Sequence, residues 1–494
     1  MTNVKVKSHQ GRVGGVGGVE QGFVYRAGAI IRENLLPLLP RLVLPVLFAS
    51  ACAVGPEYER PATDLPRDFG VPQAAVQPAA RWWALFQDPV LDRLVDEALA
   101  ANRDLRAAAE RIEQARAQVT VARAALSPDA GVRYDASRSR SSEQSSFPVP
   151  PEFIESSSHR LVLTASWELD FWGKYRRATE AARAELAATE AGAEAIRRSL
   201  VGDVVRGYFA LRALDRRLEA VERTRAGYVT SLDLQKLRLD AGIVSELEYR
   251  QVESELRGAE VLVPRVRQQR VVQEGALSVL LGRSPRQVFE AALARGDPAL
   301  PESVEVPAGL PSELLLRRPD LREAEERLHA ANARIGVARA AYFPSITLTG
   351  YYGGESTSLG DLFSGPARTW SLAGGLLQPL FAGGQIRGNV ATQEARTREA
   401  VELYQKAVAN AFREVRDAIA AQGNLREQHM RQLERERALA RTSELARIRY
   451  ENGAVSLFGV LEAERQLLAT RLDTIDTERE RRNAIVDLYL ALGA

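Results

Sequence analysis

Few of the side chains that could support catalysis stand together in this sequence. Glu168 and Asp170 are two apart in a strand-like segment, so both carboxyls fall on one face and could imitate the acid pair of a glycoside hydrolase. Ser127 has no nearby base or oxyanion motif. The four histidines are too scattered to suggest a metal site: His9, His159, His329 and His429. These patterns favour structural roles, and we expect the protein not to be an enzyme.

The single cysteine has the most informative position. Residues 42–51 (LVLPVLFASA) form an apolar run that is too short to cross a bilayer as a helix but fits a signal peptide. The stretch Ala49-Ser50-Ala51-Cys52 resembles a bacterial lipobox, with Ala49 where leucine is usual. In such a motif the thiol is acylated and the cysteine becomes the first mature residue. We predict a signal peptide over 1–51 and a lipidated Cys52; a structural cysteine behind an ordinary signal peptide is the alternative.

The residue after the cysteine bears on where the protein resides. Ala53 is not the aspartate that retains lipoproteins in the inner membrane. By that resemblance the protein is sorted to the outer membrane of a Gram-negative bacterium, held there by its covalent lipid and extending into the periplasm. Two or three acyl chains anchor stably where a single chain does not. We expect no cofactor apart from this lipid.

Composition narrows the class of protein further. The chain has 494 residues and a net charge of +2, which gives no support for nucleic-acid binding. One cysteine excludes a disulfide framework. Aromatic residues make up only 6% of the chain and charged residues 26%, alongside abundant Ala, Leu, Arg and Glu. That composition is typical of long helices rather than of an enzyme with a deep pocket.

An internal duplication organises the chain. Residues 104–128 align without gaps to 320–344, with 14 of 25 positions identical. A second pair, 237–245 and 448–456, aligns at an offset of 211. Repeats of this kind indicate two copies of one supersecondary unit. We divide the chain into a signal peptide (1–51), a lipid-anchored segment (52–82), repeat 1 (83–296), a Pro-rich linker (297–311) and repeat 2 (312–494).

Each repeat is predicted to contain the same elements in the same order. A helix (about 90–126 or 312–342) ends near a proline, as helices tend to. Two strands with unlike faces follow, as the alternation in 161–167 (LVLTASW) and 346–349 (ITLT) indicates. The four predicted strands span 130–138, 160–170, 345–353 and 368–380.

Long helical hairpins complete each repeat. Apolar residues recur at spacings of three and four from about 175 to 240, without proline, which predicts a helix of roughly 95 Å. Gly242 and Gly453 are natural reversal points because glycine tolerates the left-handed conformation that ends a helix. Returning helices are predicted over 246–282 and 457–491.

This architecture demands more than one chain. Four strands of about ten residues are long enough to cross an outer membrane but cannot close a barrel. Open edges in lipid would leave backbone groups unsatisfied, so strands from several chains must complete the ring. Three copies would supply twelve strands, although this argument fixes an oligomer more firmly than the number three.

At this point the residues carry a family resemblance. The chain resembles outer-membrane efflux channels of the TolC family, and within it the OprM/NodT-like lipoprotein branch, over essentially all of 52–494. The segments that carry the resemblance are 52–61 (CAVGPEYERP), the Trp82-Trp83 pair with Phe86, Asp88 and Pro89, 167–174 (WELDFWGK), 318–321 (RPDL) and 378–384 (QPLFAGG).

The resemblance implies a fold and a function. The fold is mainly α with a membrane β-barrel: a homotrimer whose 12-stranded barrel continues into a 12-helix periplasmic tunnel. The function is passive export of drugs or other small molecules, energised by an inner-membrane pump, expected to be of the RND type, through a periplasmic adaptor protein. The adaptor would dock on the hairpin turns, at Gly242, Val244, Ser245, Gly453, Val455 and Ser456.

The same resemblance places a gate at the hairpin tip. Glu462 falls where relatives carry an acidic constriction residue, and three copies would form a negative ring. Tyr450 and Glu248 fall where a tyrosine–acid link helps hold the tip shut. Gly459 lacks the second acidic residue of some members, which leaves a double acidic ring in doubt. A solvated helix residue is the plainer alternative for Glu462.

Two other functions remain alternatives. A periplasmic adaptor lipoprotein also carries a helical hairpin, but it predicts one hairpin between β-rich modules, whereas this chain has two hairpins and repeated strand pairs. A lipid-anchored hydrolase predicts a nucleophile or metal constellation that the sequence does not contain.

Overall fold

The computed structural model describes residues 53–66, 81–144, 150–290, 292–300 and 317–493. The predicted signal peptide, Cys52 and most of the predicted linker lie outside these residues. Two long helical hairpins and one four-stranded sheet make up most of the fold. In chain order the elements are α1 (Pro89–Ala101), α2 (Arg103–Ala124), β1 (Asp129–Arg140), β2 (Glu155–Glu168), α3 (Lys174–Asp240), α4 (Glu246–Leu280), α5 (Pro285–Phe289), α6 (Pro319–Ala340), β3 (Ser345–Ser356), β4 (Arg368–Leu377), α7 (Gln385–Glu451) and α8 (Leu457–Ala491).

The duplication is visible in the element lengths. Helices α2 and α6 each have 22 residues, α3 and α7 each have 67, and α4 and α8 each have 35. The prediction of long hairpins that reverse at Gly242 and Gly453 is therefore confirmed. Both glycines have positive φ, at 71° and 73°.

Two helix predictions need correction. The helix predicted over 90–126 is two helices, because the Asn102 side chain accepts hydrogen bonds from the backbone N–H groups of Asp104 (2.8 Å) and Leu105 (3.1 Å) and so starts a new helix. For the helix predicted over 312–342, residues 312–316 lie outside the described part of the chain. Arg318 has an extended backbone, and α6 runs from Pro319, whose ring suits the first helical turn, to Ala340.

Strand limits also differ from the predictions. Strand β2 begins at Glu155 rather than at residue 160. Its first residues, 155–159, include three serines and pair with the end of β1, where Arg140 lies opposite Glu155. It ends at Glu168 because the Asp170 carboxylate instead accepts hydrogen bonds from the first N–H groups of α3. Strand β4 ends at Leu377 rather than 380, ahead of Pro379, which has no N–H for the ladder.

The largest core lies at the opposite end of α2 from the sheet. Trp82, Trp83 and Phe86 are buried against α1, α3 and α8. A second core joins α6, α7 and the end of α8. Trp82 and Trp83 are therefore core residues. Among the described residues, no helix combines the length and apolarity needed to cross a bilayer.

Candidate functional site

The sheet has one apolar and one polar face. Its strand order is β1-β2-β3-β4, antiparallel throughout, so directly opposed residues point to the same side. One face carries Ala130, Val132, Tyr134, Leu161, Leu163, Ala165, Trp167, Ile346, Leu348, Tyr352, Trp370, Leu372 and Leu376. The other carries Asp129, Arg133, Asp135, Ser137, Arg160, Thr164, Ser166, Thr347, Thr349, Tyr351, Glu355, Thr369 and Ser371. This alternation is the pattern of a strand wall between lipid and water.

The apolar face is a band with aromatic borders. From Ile346 to Gly354 it covers eight steps of β3, roughly 26 Å of strand at about 3.3 Å per residue. Tyr134, Tyr352 and Trp370 lie toward one end and Trp167 toward the other. Trp370 is 70% exposed in the single chain and Val132 is 74% exposed. Large apolar side chains exposed in a band of this height, with aromatic rings at its limits, fit a lipid contact.

Neither edge of the sheet is closed within the chain. In the part of the chain that the structure describes, β1 pairs only with β2 and β4 pairs only with β3. Both outer edges therefore present backbone N–H and C=O groups without a strand partner. In lipid such an edge costs several kcal/mol for each unsatisfied group. The sheet can cross a membrane only when another chain covers these edges.

The two hairpin tips share one turn geometry. At the first, the N–H of Gly242 donates to Leu239 O (2.9 Å) and that of Ile243 to Arg238 O (2.8 Å). The second repeats these bonds from Gly453 and Ala454. Both are Schellman turns, which require a left-handed residue. Val244 and Val455 follow as half-buried residues, and Ser245 and Ser456 begin the returning helices α4 and α8.

The tips differ in how the returning helix is capped. Ser245 and Glu248 form a reciprocal capping box, in which the Ser245 N–H donates to the Glu248 carboxylate at 3.0 Å. At the equivalent place behind Ser456 stands Gly459, which has no side chain for this role. The capping box engages the carboxylate of Glu248 at the first tip.

Tyr450 has a different partner from the predicted one. Its hydroxyl lies 3.2 Å from Nε2 of Gln235 on α3, and the Arg238 guanidinium lies 5.9 Å from the centre of its ring. Within one chain the predicted Tyr450–Glu248 link is therefore not formed. The contact still joins the two hairpins, since α3 and α7 belong to different repeats. Gln235 was missed because no short-range pattern relates residues 215 positions apart.

Glu462 is half-buried beside a basic residue. Its carboxylate accepts hydrogen bonds from Arg465 and, at 2.6 Å, from Gln466. Arg465 also lies 3.9 Å from Glu255 on α4. The sequence holds a signal for this pair, because residues three apart on a helix are neighbours. A guanidinium at Glu462 reduces the negative charge that the carboxylate presents.

The Glu168–Asp170 acid pair serves the junction of strand and helix. The Glu168 carboxylate accepts hydrogen bonds from the Tyr175 hydroxyl (2.6 Å) and the Lys174 ammonium (3.0 Å). Asp170 caps the start of α3. Both carboxylates are thus satisfied by structural partners. No group of His, Cys, Asp and Glu side chains able to hold a metal occurs among the described residues.

The segment that follows Cys52 is fixed to the helices. The N–H of Val54 donates to Trp172 O at 3.0 Å, between β2 and α3. Glu57 pairs with the buried Arg177 at 2.5 Å, and Arg60 pairs with Glu325 at 2.6 Å. Cys52 itself is outside the described residues. Its neighbour Ala53 lies against Gly173, where a Cβ would come within 2.9 Å of Ala53.

Comparison with known proteins identifies the family. A family model described as "Outer membrane efflux protein" matches residues 94–283 and 310–494. The chain is 35% identical to the solvent efflux pump outer membrane protein SrpC of Pseudomonas putida over 468 residues, which is 92% of this chain and 97% of that protein. It is 32% identical over 457 residues to SilC of Salmonella typhimurium, named a probable outer membrane lipoprotein, which covers 90% of this chain and 96% of SilC.

A solved structure has the same fold. The CmeC outer membrane channel of Campylobacter jejuni superimposes with a TM-score of 0.85 at 28% identity, covering 90% of this chain and 95% of that one. The expectation of a TolC-type fold is confirmed, and the alternative of a periplasmic adaptor is wrong because adaptors do not share this architecture. The chain belongs to the outer membrane efflux protein family, as an outer-membrane channel component of an efflux system.

Proposed function

We propose that three copies of this chain form a passive export duct for drugs or other small molecules across the outer membrane. The observation that carries the proposal is the four-stranded sheet with one apolar face, one polar face and two open edges. A polar inner wall lets hydrated molecules pass without binding any of them tightly. The duct would have no catalytic step of its own.

The number of copies follows from barrel geometry together with the family resemblance. Two copies would give eight strands, a barrel whose interior is just filled by side chains. Three copies give twelve strands and leave an open lumen. The hairpins of α3 with α4 and α7 with α8 then continue the wall away from the membrane, as a twelve-helix tunnel. At about 1.5 Å per residue, a helix of 67 residues reaches roughly 100 Å.

A passive duct does not supply the energy for export, so another protein must supply it. We assign this task to an inner-membrane pump of the RND type, joined to the duct by a periplasmic adaptor at the hairpin tips. Exposed apolar residues at the tips support such a contact: Leu237, Ile243 and Leu247 at the first, and Phe458 at the second. The docking turns would be Gly242, Val244 and Ser245, with Gly453, Val455 and Ser456.

The tip is also where we place the resting gate. The Tyr450–Gln235 hydrogen bond holds the two hairpins of one chain together and would have to break if they splay apart. We assign the constriction of the duct to Glu462. The paired guanidinium of Arg465 reduces the negative charge that the Glu462 carboxylate presents to the lumen. Glu248 acts through the first turn, which its capping box fixes, and we retain its contact with Tyr450 only as a contact between neighbouring copies.

The membrane anchor is the lipid on Cys52. The docked segment has Ala53 against Gly173, between the end of β2 and the start of α3. Acyl chains on Cys52 would therefore enter the bilayer at the side from which the helices leave it. We expect the mature protein to carry an acyl mass that Cys52→Ser removes.

Single-channel recording tests the duct directly. Purified protein in a planar bilayer is expected to give stepwise ion currents, and Glu462→Gln is expected to lower its cation preference. A closed gate could hide the duct, so the tip-loosened variant Tyr450→Phe/Gln235→Leu is recorded beside it. If neither protein conducts at any voltage, the export duct is wrong.

A further inference from the structure

The apolar face of the sheet carries charge only at one end. From the row of opposed residues that contains Trp370 to the row that contains Leu376, no charged side chain lies on this face of the four strands, all of which the structure describes. At and beyond the aromatic border, the titratable residues of the same face are Arg138 and Arg140 on β1, Glu155 and His159 on β2, and Arg368 on β4. The helices leave the sheet at its other end, so these residues lie at the end that faces the cell exterior.

The two faces of the sheet differ in the sign of their charge at this end. On the apolar face, three arginines stand against one carboxylate, that of Glu155. On the polar face at the same height, Asp135 and Glu355 stand against Arg160, which lies 3.7 Å from Glu355. The excess of positive charge therefore belongs to the side of the sheet that faces lipid, and not to the strand ends in general.

Two of the arginines are held side by side. The Glu155 carboxylate accepts a hydrogen bond from Arg138 at 2.9 Å and one from Arg140 at 3.4 Å. In the turn beyond the strands, Glu143 accepts a second bond from Arg140 at 3.1 Å. The side chains of Arg138 and Arg140 are nevertheless 77% and 65% exposed. A guanidinium carries more N–H donors than these contacts use, so both arginines can also bind an anion.

The depth of these residues follows from the aromatic border. The Tyr134 hydroxyl lies 2.9 Å from Nδ1 of His159, which is farther along the sheet toward the cell exterior, so the polar end of this ring points away from the apolar band. Arg368 lies in the same row as Tyr134. Arg138 is four residues beyond Tyr134, roughly 13 Å along the strand and less in depth because barrel strands are tilted. The arginines are therefore level with the lipid headgroups rather than with the acyl chains.

We propose that Arg138 and Arg140, together with Arg368, bind phosphate groups of lipopolysaccharide in the outer leaflet of the outer membrane. The proposal rests on the proposed duct, which sets the apolar face in lipid. Lipopolysaccharide carries phosphates on the sugars that bear its acyl chains, and guanidinium groups pair with phosphate through two parallel hydrogen bonds.

The asymmetry of the face supports this lipid over phospholipid. The other border of the apolar band meets the inner leaflet, which consists of phospholipid, and the four strands place no charged residue there on this face. Clusters of basic residues beside a membrane-spanning segment are typical of binding to anionic lipid headgroups. The cluster occurs only at the border that meets the leaflet rich in phosphorylated sugar.

Binding of lipid A, the acylated and phosphorylated part of lipopolysaccharide, tests the proposal. The full-length protein, assembled and purified in mild detergent, is titrated with bisphosphorylated lipid A, and the bound molecules are counted by native mass spectrometry. We expect Arg138→Gln/Arg140→Gln to bind lipid A several-fold more weakly than the wild type. Lipid A stripped of its phosphates should bind the wild type as weakly as intact lipid A binds this variant.

A matched variant removes the same charge from the other face. Arg133→Gln/Arg160→Gln neutralises two arginines of the polar face and should bind lipid A as the wild type does. Equal losses in the two double variants would overturn the proposal, since they would show an effect of net charge alone. Phosphatidylglycerol is the second probe. A loss of the same size in its binding to Arg138→Gln/Arg140→Gln would overturn lipopolysaccharide as the occupant.

The native mass and the ion currents of the same samples separate this proposal from the proposed function. A conducting trimer that binds intact and dephosphorylated lipid A equally well would overturn the phosphate contact and leave the duct intact. A monomer that conducts no ions would overturn both.

Discussion

Single glycines in the left-handed conformation form the turns after the long helices, but the space around these glycines differs from turn to turn. Gly453 and Gly282 have similar positive φ angles, 73° and 71°. A Cβ on Gly453 would meet nothing within 4 Å, whereas one on Gly282 would come within 2.2 Å of the Ala101 carbonyl oxygen. Strain in the left-handed region costs about 1 kcal/mol for a residue with a side chain. At Gly282 a steric clash with backbone adds to that cost.

We therefore expect Gly453→Ala to destabilise the fold by about 1 kcal/mol and Gly282→Ala to do so by clearly more. Thermal unfolding in detergent, followed by circular dichroism, measures both variants against the wild type. Equal melting temperatures for the two variants would show that the packing around Gly282 yields more easily than its backbone neighbours suggest.

The substitution Tyr450→Phe tests the proposed gate by removing a single oxygen atom. Tyr450→Phe removes the hydroxyl that contacts Gln235 and keeps the ring against Arg238. Because the lost bond joins the two hairpins, we expect a several-fold higher open probability in bilayer recordings. Tyr249→Phe, at the nearby start of α4, is the matched control and should behave as the wild type. An unchanged open probability in Tyr450→Phe would remove this hydrogen bond from the gate.

His429 gives the helical region a predictable response to acid. It is buried in α7, and burial lowers its pKa below 6.5, with Arg481 and Arg482 opposing its charge and Glu478 favouring it. Below about pH 6.5 the unfolded chain binds a proton that the folded chain does not, so stability falls as the pH falls. We expect acidification from about pH 7.5 to 5.5 to lower the melting temperature of the wild type more than that of His429→Gln. Parallel losses in both proteins would contradict this role.

At the scale of elements, substitutions on the exposed side of α2 test whether this side packs against a neighbouring copy of the chain. Ala117 is exposed in the single chain, but its equivalent Ala333 is fully buried. Gln118, one residue on, corresponds to the exposed Arg334. We expect Ala117→Glu to weaken assembly strongly and Gln118→Glu to leave it intact, although both add the same charge to the same helix. The fraction of trimer in mild detergent measures the difference; equal effects would mean that this face stays in water.

The elements differ in how far the sequence could predict them. The long helices follow from an uninterrupted stripe of apolar residues, and their turns follow from glycines whose conformation few other residues adopt. The break at Asn102 was missed although its signal is local, since Asn followed by Asp104 is a typical helix cap. The extra strand residues near Glu155 were missed because serines in a polar segment favour neither strand nor loop.

The residues of the candidate site also differ in how far the sequence could predict their contacts. The turn glycines, the Ser245–Glu248 cap and the Glu462–Arg465 neighbourhood follow from local spacing. The partner of Tyr450 does not, because it depends on how two helices of different repeats are rotated against each other. Likewise the role of Ala117 cannot be seen in a single copy of the repeat; it emerges only when α2 is compared with α6.

At the scale of the whole molecule, the central claim is that one chain is an incomplete part of a closed tube. The open edges of the sheet and the exposed side of α2 are surfaces that neighbouring copies would cover, whereas the apolar band of the sheet would face lipid. The family shows that the chain is an outer-membrane channel component.

The native mass of the membrane-extracted protein in mild detergent tests this claim most directly. The account predicts an assembly of three chains, each beginning at Cys52 and carrying acyl groups. An acylated monomer, stable across detergents and concentrations, would contradict it, since a single four-stranded sheet cannot form a duct through a membrane.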